Sequence, residues 1–319
     1  VPFAEIAADL GDLAPIYVGA LLNGLQNALR SNQIFPWTPV LALIDRVYQL
    51  GNWSAAASDG GDHYSHPVRW AVPRLIDQGL RPAPGSFPAS SREMLRSVLA
   101  RMAADDDRTI FAAREIGVDW DGANAALNSL AGAAVGTLTN YAVWLRRVTG
   151  DDDPSVLDGF KGMPEVPALL EALLDRHLPH IHAAVGLDLT RLLALDRSWM
   201  EAKLPDVFPA DQPVLRNAAW RAYLRHSRAY NEVLPLLRHE YQRAIEELAG
   251  LAPGARATET DRKLADHLFS YYLRGFVTLA PDDLLGLFLL KAPATHRVEL
   301  IRLIGRGLEE SGKAFRPEL

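Results

Sequence analysis

Apolar residues recur at the helical period of about 3.6 residues along almost the whole chain, while the strict alternation of a half-buried strand is nearly absent. Ile16, Ala20, Leu21, Leu25, Ala28 and Leu29 fall on one helical face. The segment "PWTPVLALIDRVYQLG" opens with proline and closes with Gly51. That order suits a helix, because its first turn has no use for the N–H that proline lacks and its exit favours glycine. "SSREMLRSVLARMAADDD" supplies Ser91 as an N-cap and Met94, Leu95, Val98, Leu99 and Met102 as a buried face. One amphipathic helix cannot bury its own stripe, so the fold must set helix against helix.

The pattern continues to the C-terminus. "DGANAALNSLAGAAVGTLTNYAVWLRRVTG" reads as one long helix whose Leu127, Leu130, Ala134, Leu138, Tyr141 and Leu145 are in register. Its alanines and glycines let a neighbour approach closely. After the turn "DDDP" come seven more helical segments, from "PEVPALLEALLDRHLP" to "HRVELIRLIGRGLEES", joined by short Pro, Gly and Asp turns. A total of about 12 helices is too many for one simple bundle. The expected fold is all-α, an irregular α-solenoid of antiparallel helix pairs in the HEAT manner, with no significant β-sheet. It would run as one array over 1–319, with a soft division near 150–164. Tetratricopeptide and ankyrin patterns are missing. Two looser stretches, at 52–66 and 79–91, are expected to be exposed loops and so possible binding surfaces.

Composition removes several functions. A net charge of -6 argues against affinity gained by neutralising phosphates, so no nucleic-acid partner is expected. With no cysteine there are no disulfides, thiolate nucleophiles or Cys-based zinc sites. No apolar run approaches the roughly 20 residues of a membrane span, and a cytoplasmic location is expected. The opening "VPFAEIAADL" reads as mid-protein sequence, which suggests a piece of a longer protein.

Histidine gives the loudest chemical signal. "HLPHIH", residues 177–182, holds three of the nine histidines. On one helix His177 and His180 lie about 60° apart, whereas His182 is about 140° from the first and about 160° from the second. The three cannot meet one ion, and a helix C-terminus whose imidazoles face the last carbonyls is the favoured reading. "HEYQR" at 239–243 begins a zincin signature, but Arg243 stands where the second His is required. Glu240 and Arg243 then read as solvated helix charges. In the first loop Asp59, Asp62, His63 and His66 are suitable ligands for a divalent ion. A glycine-rich turn leading into a helix at His66 and Pro67 is favoured. No HD dipeptide, nucleophile elbow, phosphate loop or dinucleotide fingerprint occurs. Trp199, Phe208, Trp220, Tyr223, Tyr230 and Tyr241 could form a recognition surface, but at helical spacing they are expected in the core.

Residues 193–245 carry an aspartate-aromatic start (Asp196, Trp199), a Leu-Pro-Phe-Pro turn (Leu204, Phe208, Pro209), an "AAWxAYL" helix (Ala218 to Leu224) and a helix ending near Tyr241. Residues 126–147 contain an "NSxxGxA" helix start with Ala131 at its fourth position. These stretches, with "ADHLFSYYLRGFVTL" and "HRVELIRLIGRGLE", resemble the C-terminal helical regions of large bacterial antiphage proteins headed by SIR2-like or STAND NTPase effectors. Those regions have Arg where Ala131 stands. The resemblance covers about residues 120–312. It implies that enzymatic work belongs to another domain and that this chain senses a phage component or restrains the effector.

The expectation is therefore a non-enzymatic sensor or autoinhibitory domain with a protein partner, either a phage protein or an effector domain of the same chain. No catalytic residue, cofactor or metal ligand is assigned. The alternatives are a metal-dependent enzyme using the 59–66 loop and a generic assembly scaffold.

Overall fold

A computed structural model describes residues 15–50, 67–104, 122–252, 254–302 and 305. Every regular element among them is helical, and no strand is present. The helices are α1 (Pro15–Arg30), α2 (Trp37–Leu50), α3 (Pro67–Leu80), α4 (Arg92–Ala104), α5 (Gly122–Leu127), α6 (Leu130–Thr149), α7 (Glu165–Leu174), α8 (Pro179–Leu195), α9 (Arg197–Val207), α10 (Pro213–His226), α11 (Leu234–Ala249), α12 (Glu259–Leu273) and α13 (Leu284–Lys291). The all-α expectation holds. Two compact units divide the chain, Val1–Ala219 and Trp220–Leu319.

In the first unit α6 is a hub, packed against α3, α4, α5, α7 and α8. Stacked helix pairs would meet mainly their sequence neighbours, so this arrangement does not establish a solenoid. The long helix expected over 121–150 is broken in two. Asn128 and Ser129 separate α5 from α6, and the Ser129 hydroxyl caps α6 by accepting from Gly132 N at 2.8 Å. Leu127 is left exposed, while Leu130, Ala134, Leu138, Tyr141 and Leu145 are buried as the register predicts.

The stretch at 79–91 is exposed at Arg81, Pro82, Pro84, Pro88, Ala89 and Ser90, as expected, but it is anchored at Phe87. Phe87 is buried against Trp37, and Trp37 Nε1 donates to Gly85 O at 2.8 Å. On the other side Trp144 Nε1 donates to Phe87 O at 3.1 Å. One aromatic side chain in a proline-rich loop, met by two indoles with N–H groups to satisfy, anchors the loop to the core.

The soft division near 150–164 lies within the first unit. There Arg146 donates to Val156 O (2.9 Å), Gly159 O (3.2 Å) and Leu195 O (2.5 Å), which fastens the turn to α6 and to the end of α8.

In the second unit α11 and α12 both pack on α13, and residues 294–302 form a further helical run. A capping box starts α12. Thr258 Oγ1 accepts from Asp261 N at 3.2 Å, and Asp261 Oδ2 accepts from Thr258 N at 2.8 Å.

Candidate functional site

Of the residues that looked chemical, the histidines of 177–182 and the charges of 239–243 lie among the described residues. "HLPHIH" is not a helix C-terminus. α7 ends at Leu174, and Pro179 stands in the first turn of α8, so the imidazoles open a helix. The physical reason is proline's fixed φ and missing N–H, which suit a first turn and not a last one. His177 lies in the connection at φ 51°, and His180 and His182 are buried. Val207 O can only accept, so the His182 Nδ1 facing it at 3.1 Å carries the proton. Its Nε2 has no hydrogen-bond partner among the described residues. No group of three or more His, Cys, Asp or Glu among those residues could hold a metal ion. Asp59, Asp62, His63 and His66 lie outside the described residues.

Glu240 departs from the expectation of a solvated charge. It is 1% exposed, with Arg243 Nε at 2.8 Å and His239 Nε2 at 3.2 Å. Position 240 shares the inner face of α11 with Leu237 and Ala244, so the carboxylate goes in and its cation comes with it.

Of the aromatic residues, Phe208, Trp220, Tyr223 and Tyr241 are buried as expected, and Tyr230 is exposed. Trp220 and Tyr223 do share a face, with ring centres 5.8 Å apart. Behind them is a proton-ordered network. Ser227 O fixes the hydrogen on His267 Nε2 (3.0 Å), so Nδ1 accepts from Tyr241 OH (2.7 Å). Tyr241 in turn accepts from Tyr223 OH at 3.3 Å, and Tyr271 OH donates to Tyr230 O at 3.0 Å. Every member of this network is occupied by another, which is the property of a core and not of a reactive centre.

Burial pushes His180 and His267 down to about 4. An unfolded imidazole protonates near pH ~6.5. Between these values the unfolded chain binds more protons, so stability is full above the unfolded pKa and falls as pH drops toward 4. Each histidine is expected to remove roughly 3 kcal/mol across that window. Asp77 and Asp188, both pushed up by burial, oppose this only within the carboxylate range. Urea midpoints between pH 7 and 4.5 check it: a flat profile contradicts burial of the neutral imidazoles.

The aspartate-aromatic start is a clasp. Asp196 Oδ1 caps α9 by accepting from Trp199 N at 2.9 Å, and its Oδ2 accepts from Phe160 N at 2.9 Å. Gly159, at φ 60°, leaves room for that carboxylate; a Cβ there would lie 2.2 Å from Asp196 Oδ2. Trp199 Nε1 donates to Glu171 Oε1 at 2.9 Å.

Two features stand out as able to meet something else. The first is on the second unit, where Tyr272, Leu273 (68% exposed), Phe276 and Leu279 leave large apolar side chains in solvent within eight residues. Their backbone is fixed. Gly275 at φ 77° ends α12 in a Schellman motif, with Phe276 N donating to Tyr271 O and Gly275 N to Tyr272 O, both at 2.9 Å. Arg274 donates to Ser270 O and Ala229 O and lies over the Tyr271 ring.

The second is a cleft of about 320 Å³ in the first unit, where α3, α6 and α8 meet, lined by Trp70, Asp77, Gly136, Leu187, Asp188 and Arg191 among others. A polar chain runs beside it. Asn140 Nδ2 donates to Asp77 Oδ1 (3.0 Å), Arg191 donates to Asn140 Oδ1, and Arg191 pairs with Asp188 Oδ1 (3.0 Å). Sequence reasoning missed these residues. The one signal was polarity out of place, since Asp188 interrupts the apolar run "HAAVGLDLTRLL" and Asn140 the small-residue run of α6.

Comparison with family models, with curated proteins and with solved structures gives no match.

Proposed function

We propose that this chain is a protein-binding helical module without a catalytic centre of its own, docking its partner on the apolar turn at residues 272–279. The observation that carries the reading is Leu273, Phe276 and Leu279 held in solvent on a backbone fixed by Gly275. Exposed apolar groups on a rigid support bury area on binding with little entropy left to lose. The resemblance of residues 120–312 to antiphage C-terminal regions supports a finer reading. The partner would be a phage protein or an effector domain, and the module would be a sensor or an autoinhibitory element in a bacterial cytoplasm.

The chain and its Leu273→Asp/Phe276→Asp variant are to be used as bait in lysates of phage-infected and uninfected bacteria. Both substitutions lie at exposed positions, so the variant is expected to keep the wild-type helical spectrum and melting temperature. The reading predicts a protein retained from infected lysate by the wild type and lost, at least tenfold, by the variant. Equal retention by both, or none by either, overturns it.

A further inference from the structure

The cleft between α3, α6 and α8 has the features of a ligand site, independently of the protein-binding reading. Its volume of about 320 Å³ is at the small end of pockets that take organic molecules. Indole, leucine and alanine surfaces from Trp70, Leu187 and Ala184 provide apolar walls. Gly136 opens the floor. A Cβ there would meet only Asp188 Oδ2, at 3.7 Å, so that oxygen faces the space a side chain would have filled.

The two carboxylates are incompletely served. The Asp188 side chain is 13% exposed, and its Oδ1 is taken by Arg191. Asp77 Oδ1 is taken by Asn140. Thr137, fully buried beside Asp77, aims its hydroxyl at that carboxyl without closing a well-formed hydrogen bond. Carboxylates withdrawn from water need partners, and Arg191 and Asn140 cover one oxygen of each well. Arg81 favours and Asp188 opposes the ionisation of Asp77, and burial still pushes both carboxyls up, so a further positive charge between them relieves both. At the mouth Arg74 is exposed, and its guanidinium has no partner among the described residues.

These features select a chemistry. An anion would meet two carboxylates. A bare metal ion would find only two, and no larger acidic or imidazole group is at hand among the described residues. An ammonium or guanidinium head satisfies both acids, stacks against an indole, and leaves an anionic tail free to reach Arg74.

We propose that this cleft binds a small organic zwitterion, its ammonium or guanidinium head between Asp77 and Asp188, its carbon chain along Trp70 and Leu187, and its carboxylate at the mouth beside Arg74.

Isothermal titration of the full chain with three probes tests this: 4-guanidinobutyrate, butylguanidine, which lacks the carboxylate, and butyrate, which lacks the cation. The expected order is 4-guanidinobutyrate tightest, butylguanidine about tenfold weaker, and butyrate without measurable heat. Gly136→Leu fills the cleft at a helical position where leucine is a better former than glycine, so it is expected to fold and to abolish binding. Asp188→Asn should weaken the guanidinium probes at least tenfold, and Arg74→Ala should erase the difference between the first two. No heat with either guanidinium probe overturns the proposal. So does binding that survives unchanged in both Gly136→Leu and Asp188→Asn.

Discussion

Arg146→Met is expected to lower the stability of the chain by about 4 kcal/mol, the larger share from carbonyls left without a donor. One guanidinium serves Val156, Gly159 and Leu195, residues that belong to a turn and to the end of α8, which the Asp196–Phe160 hydrogen bond also joins. Hydrogen bonds from a charged donor contribute about 1.5–3 kcal/mol each, and an unsatisfied buried carbonyl costs about 1–3 kcal/mol. Methionine keeps most of the stem and removes every donor, so the loss reports the hydrogen bonds and not a cavity. Burial holds the Arg146 pKa below the usual arginine value, yet the group stays charged at any pH the fold survives. The urea midpoint checks the result. A change under about 1 kcal/mol would show that the turn at 150–164 is held by something else.

The second large effect concerns one substitution made in two places. Gly186→Ala places a Cβ 2.3 Å from Ala219 O, where α8 and the first half of α10 meet backbone to backbone. A carbonyl cannot swing aside as a flexible side chain can, so the helices must part. The expected loss is about 3 kcal/mol. Gly24→Ala is the control. Its Cβ would meet nothing within 4 Å on α1, so the helix-propensity gain of roughly 0.5–1 kcal/mol should appear unopposed. Opposite signs for the same chemical change isolate the close approach from propensity. A stabilised Gly186→Ala would place the true separation of the helices well beyond the one described.

Helical period made the class legible from the sequence, because an apolar stripe at that spacing has no other way to be buried. The buried faces of α4 and α6 follow the register at Leu95, Val98, Leu99 and Met102 in one and Leu138, Tyr141 and Leu145 in the other, while Met94 is half-buried and Leu127 exposed. Failures came where a single side chain outweighed the local pattern. Ser129 bonds Gly132 and breaks a helix that periodicity would continue. Pro179 turns a supposed helix end into a helix start. Phe87 is a buried anchor in a loop that is otherwise largely exposed, as its composition reads. On α1 the buried apolar side chains are Val18, Leu22, Leu25 and Leu29, so Ala20 and Leu21 were assigned to the wrong edge of the stripe. The packing partner sets that rotation, and one helix's sequence does not contain its partner.

The sites were less legible for a related reason. Asp77, Asn140 and Asp188 are far apart in the chain and carry no spacing rule, so only the meeting of α3, α6 and α8 makes them neighbours. The histidines had a conspicuous spacing, and although the His177 and His182 rings lie 6.5 Å apart, they join no group of three that could hold a metal ion among the described residues. Leu273 and Phe276 lie in a stretch read only as helical, and its pattern does not tell that the helix ends at Leu273 with both side chains exposed.

Hydrogen–deuterium exchange on the full chain, alone and with the protein captured from infected lysate, tests the central claim most directly. Docking on the apolar turn predicts slowed exchange in residues 269–279 when that protein is added, with the amides of α6 unchanged. A partner that protects other residues and leaves 269–279 exchanging at the free rate would contradict it.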